Sequence, residues 1–198
     1  MNGEQGYNIR VKVKELKIFN KPYSEDILSN GEVERILKYA KIADDKRAVA
    51  IVTILYLTGM RVSELLSLKL YDIADTVMVC GKGDKYREIF ISPKAIKAIN
   101  DYIENERLDN SEYLFTGLQG AICSRTVDHE IKKYAGKARI KLAKAHAHNF
   151  RHSFCTNLVK MGVSLDIVAE LAGHSSIDTT RIYTKRSKKE LYDVISKL

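Results

Sequence analysis

Four of the five histidines fall within residues 146–174, with an arginine among them. In HAHNFRHSF, His148 and His152 are four residues apart and would share one face of a helix. Two imidazoles on one face could hold a metal ion, but a zinc site needs a third ligand at a fixed offset, and no HExxH pattern is present. Because a cation such as Arg151 beside an empty metal site is unfavourable, we expect no metal here.

A phosphate group fits the same residues better than a metal. Arg151 offers a planar fork of donors to phosphate oxygens, and His148, one helical turn earlier, could donate or accept a proton. Arg61 is a second candidate fork. Lys82 lies between two glycines in GKGDK, where a flexible turn could carry its ammonium group to a leaving oxygen.

The stretch LAGHSSIDTTRIYTK places Tyr183 nine residues after His174, in polar and basic surroundings. Most tyrosines in such a stretch anchor a helix by a half-buried ring. A tyrosine that faces a phosphate could instead act as a nucleophile. Structural roles also stay open for the other candidates, with Arg61 at a helix start, Lys82 in an exposed turn and His174 after a helix-ending glycine.

The elements that must position these residues are mostly helical. SNGE at 29–32 is typical of a capping box, and Ser92-Pro93 is typical of a helix start. Apolar spacing and glycine stops complete the pattern. The predicted helices span 30–42, 47–58, 61–68, 93–105, 125–137, 148–161, 165–172, 176–183 and 188–197.

The β-prone runs TVMVC and YREIFI flank GKGDK and predict a hairpin over 76–91. EYLF at 112–115 is ambiguous. The expected fold is therefore mainly α with a small antiparallel β-hairpin sheet, an α+β arrangement. Residues 1–22 lack periodicity and are expected to form an arm or a linker remnant.

Composition bounds the class of protein. The chain has 198 residues, 45% of them apolar, which is enough for one large domain with a core. Its longest apolar run, at 48–57, is too short to cross a bilayer, and the N-terminus lacks the apolar segment of a secretory signal, so we expect a cytoplasmic protein. Three widely spaced cysteines without CxxC spacing are expected to be packing residues.

Charge is concentrated in one region. The chain carries a formal charge of +8, and residues 125–160 hold nine Lys/Arg against two Asp/Glu. Such a face would attract a polyanion, although a solvated basic helix has the same composition.

Four motifs, in chain order, carry a resemblance to a known family: TGMRVSELLSL, GKGDKYREIFI, HNFRHSF and LAGHSSIDTTRIYTK. They resemble the catalytic domain of the tyrosine recombinases, which include phage and transposon integrases and the Xer-type chromosome-resolving recombinases. The resemblance covers about residues 24–198, and four motifs in one order are specific where any one would be weak. The resemblance implies a catalytic set of Arg61, Lys82, His148, Arg151, His174 and the nucleophile Tyr183.

The reaction implied by the resemblance is transesterification of double-stranded DNA without metal, ATP or another cofactor. Tyr183 would attack the scissile phosphate, form a 3′-phosphotyrosyl link and release a 5′-hydroxyl that later attacks a partner strand. Arg61 and Arg151 would neutralise the transition state. Lys82 would protonate the leaving oxygen, and His148 would assist proton removal from the tyrosine.

Supporting residues follow from the same resemblance. His174 would donate a further hydrogen bond to phosphate, Glu64 would orient a basic side chain, and His152 fits as a supporting or core histidine. The family commonly has aspartate and leucine where this chain has Asn149 and Phe150, a change that leaves the catalytic groups in place. Independently of the resemblance, the basic stretch at 125–145 supplies the candidate DNA-contact residues, which are Arg125, Lys132, Lys133, Lys137 and Arg139.

The resemblance also sets the expected domain organisation. Residues 23–198 would be the catalytic domain, and 1–22 are too short for the usual N-terminal core-binding domain, which is therefore expected to be absent. The amphipathic helix at 188–198 would pack on its own domain or dock onto a neighbouring subunit of a synaptic tetramer.

Two other functions remain open from the sequence. TNLVKMGVSLDIVAELAGHSS at 156–176 resembles a helix-turn-helix, as in a non-enzymatic DNA-binding regulator. A regulator would explain the basic face but not Arg61, Lys82 and Tyr183 together. A type IB topoisomerase would share the chemistry but would act without a specific site.

Overall fold

A computed structural model describes residues 27–81, 86–174, 177–184 and 195–196 of the chain. Three predictions therefore lie wholly or largely outside the described residues. They are the arm at 1–22, the position of Lys82 and the helix at 188–198.

The described part of the chain is mainly helical, as predicted. Its eight α-helices are α1 (Asn30–Ile42), α2 (Lys46–Thr58), α3 (Val62–Ser67), α4 (Pro93–Asn105), α5 (Ser124–Lys137), α6 (Ala147–Lys160), α7 (Leu165–Ala172) and α8 (Asp178–Arg181). Short 3₁₀ turns lie at Leu70–Asp72, Leu142–Lys144 and Ile182–Thr184.

Local capping explains where several helices begin. The Ser29 side chain accepts a hydrogen bond from the Glu32 backbone, and the Glu32 carboxylate accepts one from the Ser29 backbone, which makes the predicted capping box. Ser92 caps α4, with Pro93 in its first turn. These contacts satisfy backbone donors that have no partner inside a helix.

Helix α2 forms the centre of the core. Nine of its thirteen residues are buried, and it packs against α1, α4, α5 and α6. An all-round apolar helix is stable only when other helices surround it, which accounts for its position.

The predicted hairpin is present as β1 (Thr76–Cys80) and β2 (Tyr86–Phe90), paired antiparallel with Cys80 opposite Tyr86. Val77, Val79 and Ile89 are buried, so one face of the hairpin joins the core. A second small sheet, β3 (Thr116–Gly117) with β4 (Gly120–Ala121), was not predicted. Two-residue strands are too short to show an alternating pattern.

Two further predictions need correction. The helix expected at 176–183 is a single α-turn that continues as a 3₁₀ turn, consistent with its β-branched Thr179, Thr180 and Ile182. Cys155 is buried as a packing residue, but Cys80 and Cys123 are exposed. Within the described ranges, no helix is long and apolar enough to cross a membrane.

Candidate active site

The end of α2 is fixed against α6 by a glycine. Gly59 has φ +62, and a Cβ at this position would lie 2.4 Å from Cδ1 of Phe154 on α6. Only glycine fits this backbone conformation and this contact without strain. The Gly59 carbonyl accepts a hydrogen bond of 2.8 Å from Nη1 of Arg151, so the two motifs that carry Arg61 and Arg151 meet here.

Arg61 caps α3 and reaches towards the end of α7. Its Nη1 donates to Oε1 of Glu64 at 2.9 Å, and its Nη2 donates to the carbonyl of Gly173 at 3.2 Å. The Arg61 side chain keeps 37% of its exposure, which leaves it accessible to a ligand.

Glu64 holds a second arginine as well. Its buried carboxylate accepts a hydrogen bond of 2.8 Å from Nη2 of Arg87 on β2. Arg87 also donates to the Leu171 carbonyl at 2.8 Å. Glu64 thus orients basic side chains, as predicted, and joins α3 to the hairpin and, through its two arginines, to α7.

A glycine at the end of α7 permits the approach of Arg87. Gly173 has φ +66, and a Cβ there would lie 2.4 Å from Cδ of Arg87. The turn at Gly173 sets the direction of the chain into His174. The sequence signal of a helix-ending glycine is therefore correct, and the structure adds a second reason for it.

Arg151 is the most enclosed of these cations, at 3% exposure. Its Nη2 is buried and has no hydrogen-bond partner among the described residues. Burial lowers its pKa to about 10, helped by the charges of Arg61 and Arg87, so the guanidinium stays protonated at neutral pH. A buried charged donor without a partner is costly unless a ligand completes it, and an anion would do so.

Arg61 and Arg151 reach the same cavity, whose volume is about 260 Å³. The residues that line it are Met60, Arg61, Val62, Ser63, Ala147, His148 and Arg151. A larger groove of about 990 Å³ lies between α1, α2 and α4, but it contains none of the predicted catalytic residues. The chemistry of the smaller cavity makes it the candidate anion site.

Tyr183 lies on the 3₁₀ turn after α8, packed against a small apolar cluster of Cys155, Val168 and Ala172. Its hydroxyl forms a hydrogen bond of 2.7 Å with Nδ1 of His152.

The hydroxyl contact is thus with His152, whereas the residue predicted to assist proton removal from the tyrosine is His148. His148 is one helical turn away and contacts the His152 ring edge-to-face, with ring centroids 4.2 Å apart.

His174 lies on the other side of the tyrosine. The two rings are nearly parallel, with centroids 6.3 Å apart. Nδ1 of His174 forms a hydrogen bond of 2.8 Å with Oγ1 of Thr180, which fixes the orientation of the imidazole.

All three imidazoles are neutral at physiological pH. Burial, and then the neighbouring charges, lower the pKa of His148, and they lower the pKa of His152 and of His174 to about 4.

Within the described ranges there is no group of three or more His, Cys, Asp or Glu that could hold a metal ion, so His148 and His152 have no third ligand there.

Four of the five candidate DNA-contact residues on and after α5 are exposed, and Lys132 is half-buried. Two of them are ion-paired, since Lys132 lies 3.6 Å from Asp128 and Lys133 lies 3.1 Å from Asp45. Arg125, Lys137 and Arg139 are exposed.

The two departures from the family pattern have structural roles. Asn149 donates a hydrogen bond of 2.9 Å to the Lys144 carbonyl, which ties the first turn of α6 to the preceding 3₁₀ turn. Phe150 is fully buried in the core. Both support the helix that carries His148 and Arg151.

Sequence reasoning missed Arg87 and underestimated His152. Arg87 sits within a strand pattern that gave no sign of its partners on α3 and α7. The one local signal was its position two residues before Ile89, which puts the Arg87 side chain on the core-facing side of the strand. His152 is one turn after His148, which did indicate a shared helical face.

Glu64→Gln is expected to lower the free energy of unfolding by about 3 kcal/mol at pH 7, because it breaks a buried ion pair and leaves Arg87 uncompensated. Burial alone would raise the pKa of Glu64, but hydrogen bonds from Arg87 and Arg61 lower it below its ordinary value. The carboxylate therefore stabilises the fold at pH values above that ordinary pKa. This stabilisation is lost as the pH falls through the lowered pKa.

Urea unfolding at pH 7 and below pH 4 measures this difference. The control is Glu88→Gln on the exposed face of β2, which should leave the unfolding free energy unchanged. An equal loss for Glu64→Gln at both pH values would contradict the role of the charge.

The sequence profile of the phage integrase family matches residues 26–190. Among similar proteins, the tyrosine recombinase XerA of Pyrococcus horikoshii is 36% identical over 178 residues, which cover 86% of this chain and 60% of the relative. The TnP I resolvase of Bacillus thuringiensis is 32% identical over 198 residues, which cover 96% of this chain and 67% of the relative.

Solved structures agree with this fold. A crystal structure of XerA recombinase is similar with a TM-score of 0.71 at 30% identity, covering 86% of this chain and 62% of the other. A post-cleavage complex of XerH site-specific recombinase bound to palindromic difH substrate also gives 0.71, at 29% identity, covering 86% and 52%. The chain spans about 60% of the length of the XerA relative.

Proposed function

The chain belongs to the phage integrase family, and from that premise we propose that it is a site-specific recombinase. It cleaves and rejoins double-stranded DNA through a 3′-phosphotyrosyl intermediate, with Tyr183 as the nucleophile. The energy of the broken phosphodiester is kept in the new link, so the reaction needs neither ATP nor a metal ion.

The observation that carries this proposal is the convergence of distant motifs on one cavity. Arg61 and Arg151 are 90 positions apart in the sequence and line the same small cavity. Two guanidinium groups with one unpaired buried donor form a site for a phosphodiester, whose negative charge grows as the fifth bond to phosphorus forms. Tyr183 is connected to this cavity by two contacts, since its hydroxyl bonds to His152 and the His152 ring contacts His148.

Each charged group has a distinct role in the proposed reaction. Arg61 and Arg151 stabilise the transition state, and His148, which lines the cavity, donates a hydrogen bond to a phosphate oxygen. His174 donates a further hydrogen bond to phosphate. Lys82 protonates the leaving 5′-oxygen, a role that rests on its place in the family motif alone.

DNA is the proposed partner. Similar structures include recombinases in complex with DNA, among them the XerH complexes. Basic residues on and after α5 would contact the phosphate backbone, and counterion release would make this binding depend on salt. The residues proposed for it are Arg125, Lys132, Lys133, Lys137 and Arg139.

We further propose that the chain is the catalytic part of a clamp-forming recombinase and that it acts in a synaptic tetramer. The proposed limits are a linker at 1–22, a catalytic domain at 23–198 and a docking helix at 188–198. The chain covers 60% of the XerA relative and 50% of a XerD relative, so the relatives are longer than the sequence described.

The test is covalent trapping on DNA with no assumption about the recognition site. The protein is incubated with a pool of nicked suicide duplexes with randomised arms, with and without EDTA, and then denatured. We expect a denaturation-resistant adduct that forms equally in EDTA, with the DNA attached to the peptide that contains Tyr183 by mass spectrometry.

The adducts recovered from the pool also identify the preferred DNA site. A protein that retains DNA from the pool without ever forming an adduct would be a non-enzymatic regulator, and the proposal would fail. If the protein forms adducts with no sequence preference and also relaxes supercoiled plasmid, it would instead be a type IB topoisomerase.

A further inference from the structure

The hydrogen-bond partner of the Tyr183 hydroxyl is His152, at 2.7 Å. The expected helper, His148, instead faces the cavity that holds Arg61 and Arg151. The two histidines lie on successive turns of α6, and their rings contact each other edge-to-face. The phosphate cavity, His148, His152 and Tyr183 thus follow one another in a contiguous row.

A nucleophilic phenol must lose its proton as it attacks, because neutral tyrosine titrates near pH ~10 and is a poor nucleophile. The accepting group must lie within hydrogen-bond distance of the hydroxyl oxygen and must offer an unprotonated lone pair. His152 meets the distance requirement through Nδ1.

The other groups near the hydroxyl are less suited. The Cys155 thiol lies within hydrogen-bond distance of Tyr183. Burial raises the pKa of this thiol, so it stays protonated, and a neutral thiol is too weak a base to accept the proton. The His174 ring stacks on the tyrosine, and its Nδ1 is engaged with Thr180. His152 is unprotonated at neutral pH, since burial, His148 and Arg151 lower its pKa to about 4.

We propose that Nδ1 of His152 accepts the proton of Tyr183 Oη as that oxygen attacks the scissile phosphorus. This inference rests on the proposed recombinase function. It makes His152 a catalytic residue, because it contacts the reacting oxygen, and it leaves His148 as a phosphate ligand.

The step balances in bonds and protons. The Oη–H bond breaks, its proton bonds to Nδ1 and gives an imidazolium, and Oη forms the new bond to phosphorus. The bond from phosphorus to the 5′-oxygen breaks, and that oxygen takes a proton from a general acid, the role proposed for Lys82, or from water. In the rejoining step the imidazolium returns its proton to Oη.

The charge of the DNA makes this transfer favourable only when substrate is bound. In the protein alone the surrounding cations disfavour an imidazolium. A phosphodiester in the cavity adds a negative charge next to His148, and an opposite charge nearby favours the protonated imidazole. The proton acceptor is therefore activated by the substrate itself.

The first test needs no DNA. ¹⁵N NMR of histidine-labelled protein reports which ring nitrogen carries the hydrogen, and the His152 resonance is assigned by its disappearance in His152→Asn. We expect the Nε2–H tautomer, in which Nδ1 is an acceptor for the tyrosine hydroxyl. A hydrogen on Nδ1 would mean that His152 donates to Tyr183, and this result would overturn the proposal.

The second test uses the duplex selected in the trapping experiment. His152→Asn keeps a polar atom near the position of Nδ1 but cannot carry a proton, so we expect the cleavage rate to fall by about 10²-fold or more. His146→Asn, with the same change just before α6, is the control and should cleave at the wild-type rate.

A sulfur in place of the bridging 5′-oxygen separates the two ends of the reaction. The thiolate leaves without a proton, so this substrate restores a variant that lacks the general acid. It should not restore His152→Asn, and full restoration would place His152 on the leaving-group side and overturn the proposal.

The two hypotheses fail in different ways. If wild-type protein forms no adduct, the recombinase function fails. If wild type forms an adduct and His152→Asn forms it equally fast, only the proton-acceptor role fails.

Discussion

Tyr183→Phe is expected to abolish the covalent protein–DNA adduct while DNA binding stays near the wild-type level. The substitution removes one oxygen atom, which the proposed reaction uses as its nucleophile. The ring remains in the apolar cluster with Cys155 and Val168, so folding should lose little more than the hydrogen bond to His152, which is worth about 1 kcal/mol. Denaturing gels with the suicide duplex measure the adduct, and mobility shifts measure binding.

Tyr56→Phe is the matched control for this variant. The Tyr56 hydroxyl also has a hydrogen-bond partner on α6, since Asn157 donates to it at 3.2 Å. Removing that hydroxyl should cost a similar stability and leave adduct formation intact. Adduct formation by Tyr183→Phe, or its loss in Tyr56→Phe, would contradict the assignment of the nucleophile.

Arg151→Lys is expected to slow cleavage by about 10²–10³-fold, although the positive charge is kept. The guanidinium uses Nη1 to hold the Gly59 carbonyl and leaves Nη2 for phosphate. A lysine ammonium is a point charge and cannot reproduce this fork of donors. Single-turnover cleavage of the selected duplex measures the effect.

Arg107→Lys tests whether loss of a buried arginine elsewhere has the same consequence. Arg107 donates to the carbonyl groups of Ser111, Tyr113 and Leu114. Its replacement should lower the unfolding free energy but leave the cleavage rate per folded molecule unchanged. Equal rate losses in the two variants would indicate a general effect of stability rather than a role for Arg151 in the reaction.

The sequence allowed prediction of the features that depend on neighbours along the chain. The start of α1 follows from Ser29 and Glu32, and the start of α4 follows from Ser92 and Pro93, because capping needs only three or four residues. The central position of α2 follows from its unbroken apolar sequence. The convergence of Arg61 and Arg151 was expected from the family resemblance, and the shared cavity agrees with it.

Other features depend on contacts between distant residues and leave no local pattern. The ion pair of Glu64 with Arg87 joins residues 23 positions apart on a helix and a strand. The hydrogen bond of His152 with Tyr183 spans 31 positions, and its geometry depends on how α6 and the last 3₁₀ turn pack. The spacing of His148 and His152 placed both on one face of α6 but could not say which would reach the tyrosine.

The tyrosine belongs to a small cluster around Cys155, Val168 and Ala172 that is separate from the main apolar core around α2. Segments with few buried contacts open at lower free energy than the core. Gentle warming should therefore detach the reactive phenol while the helices around α2 stay intact. The protein would then lose its cleavage activity at a temperature where its circular dichroism spectrum is still that of the native state.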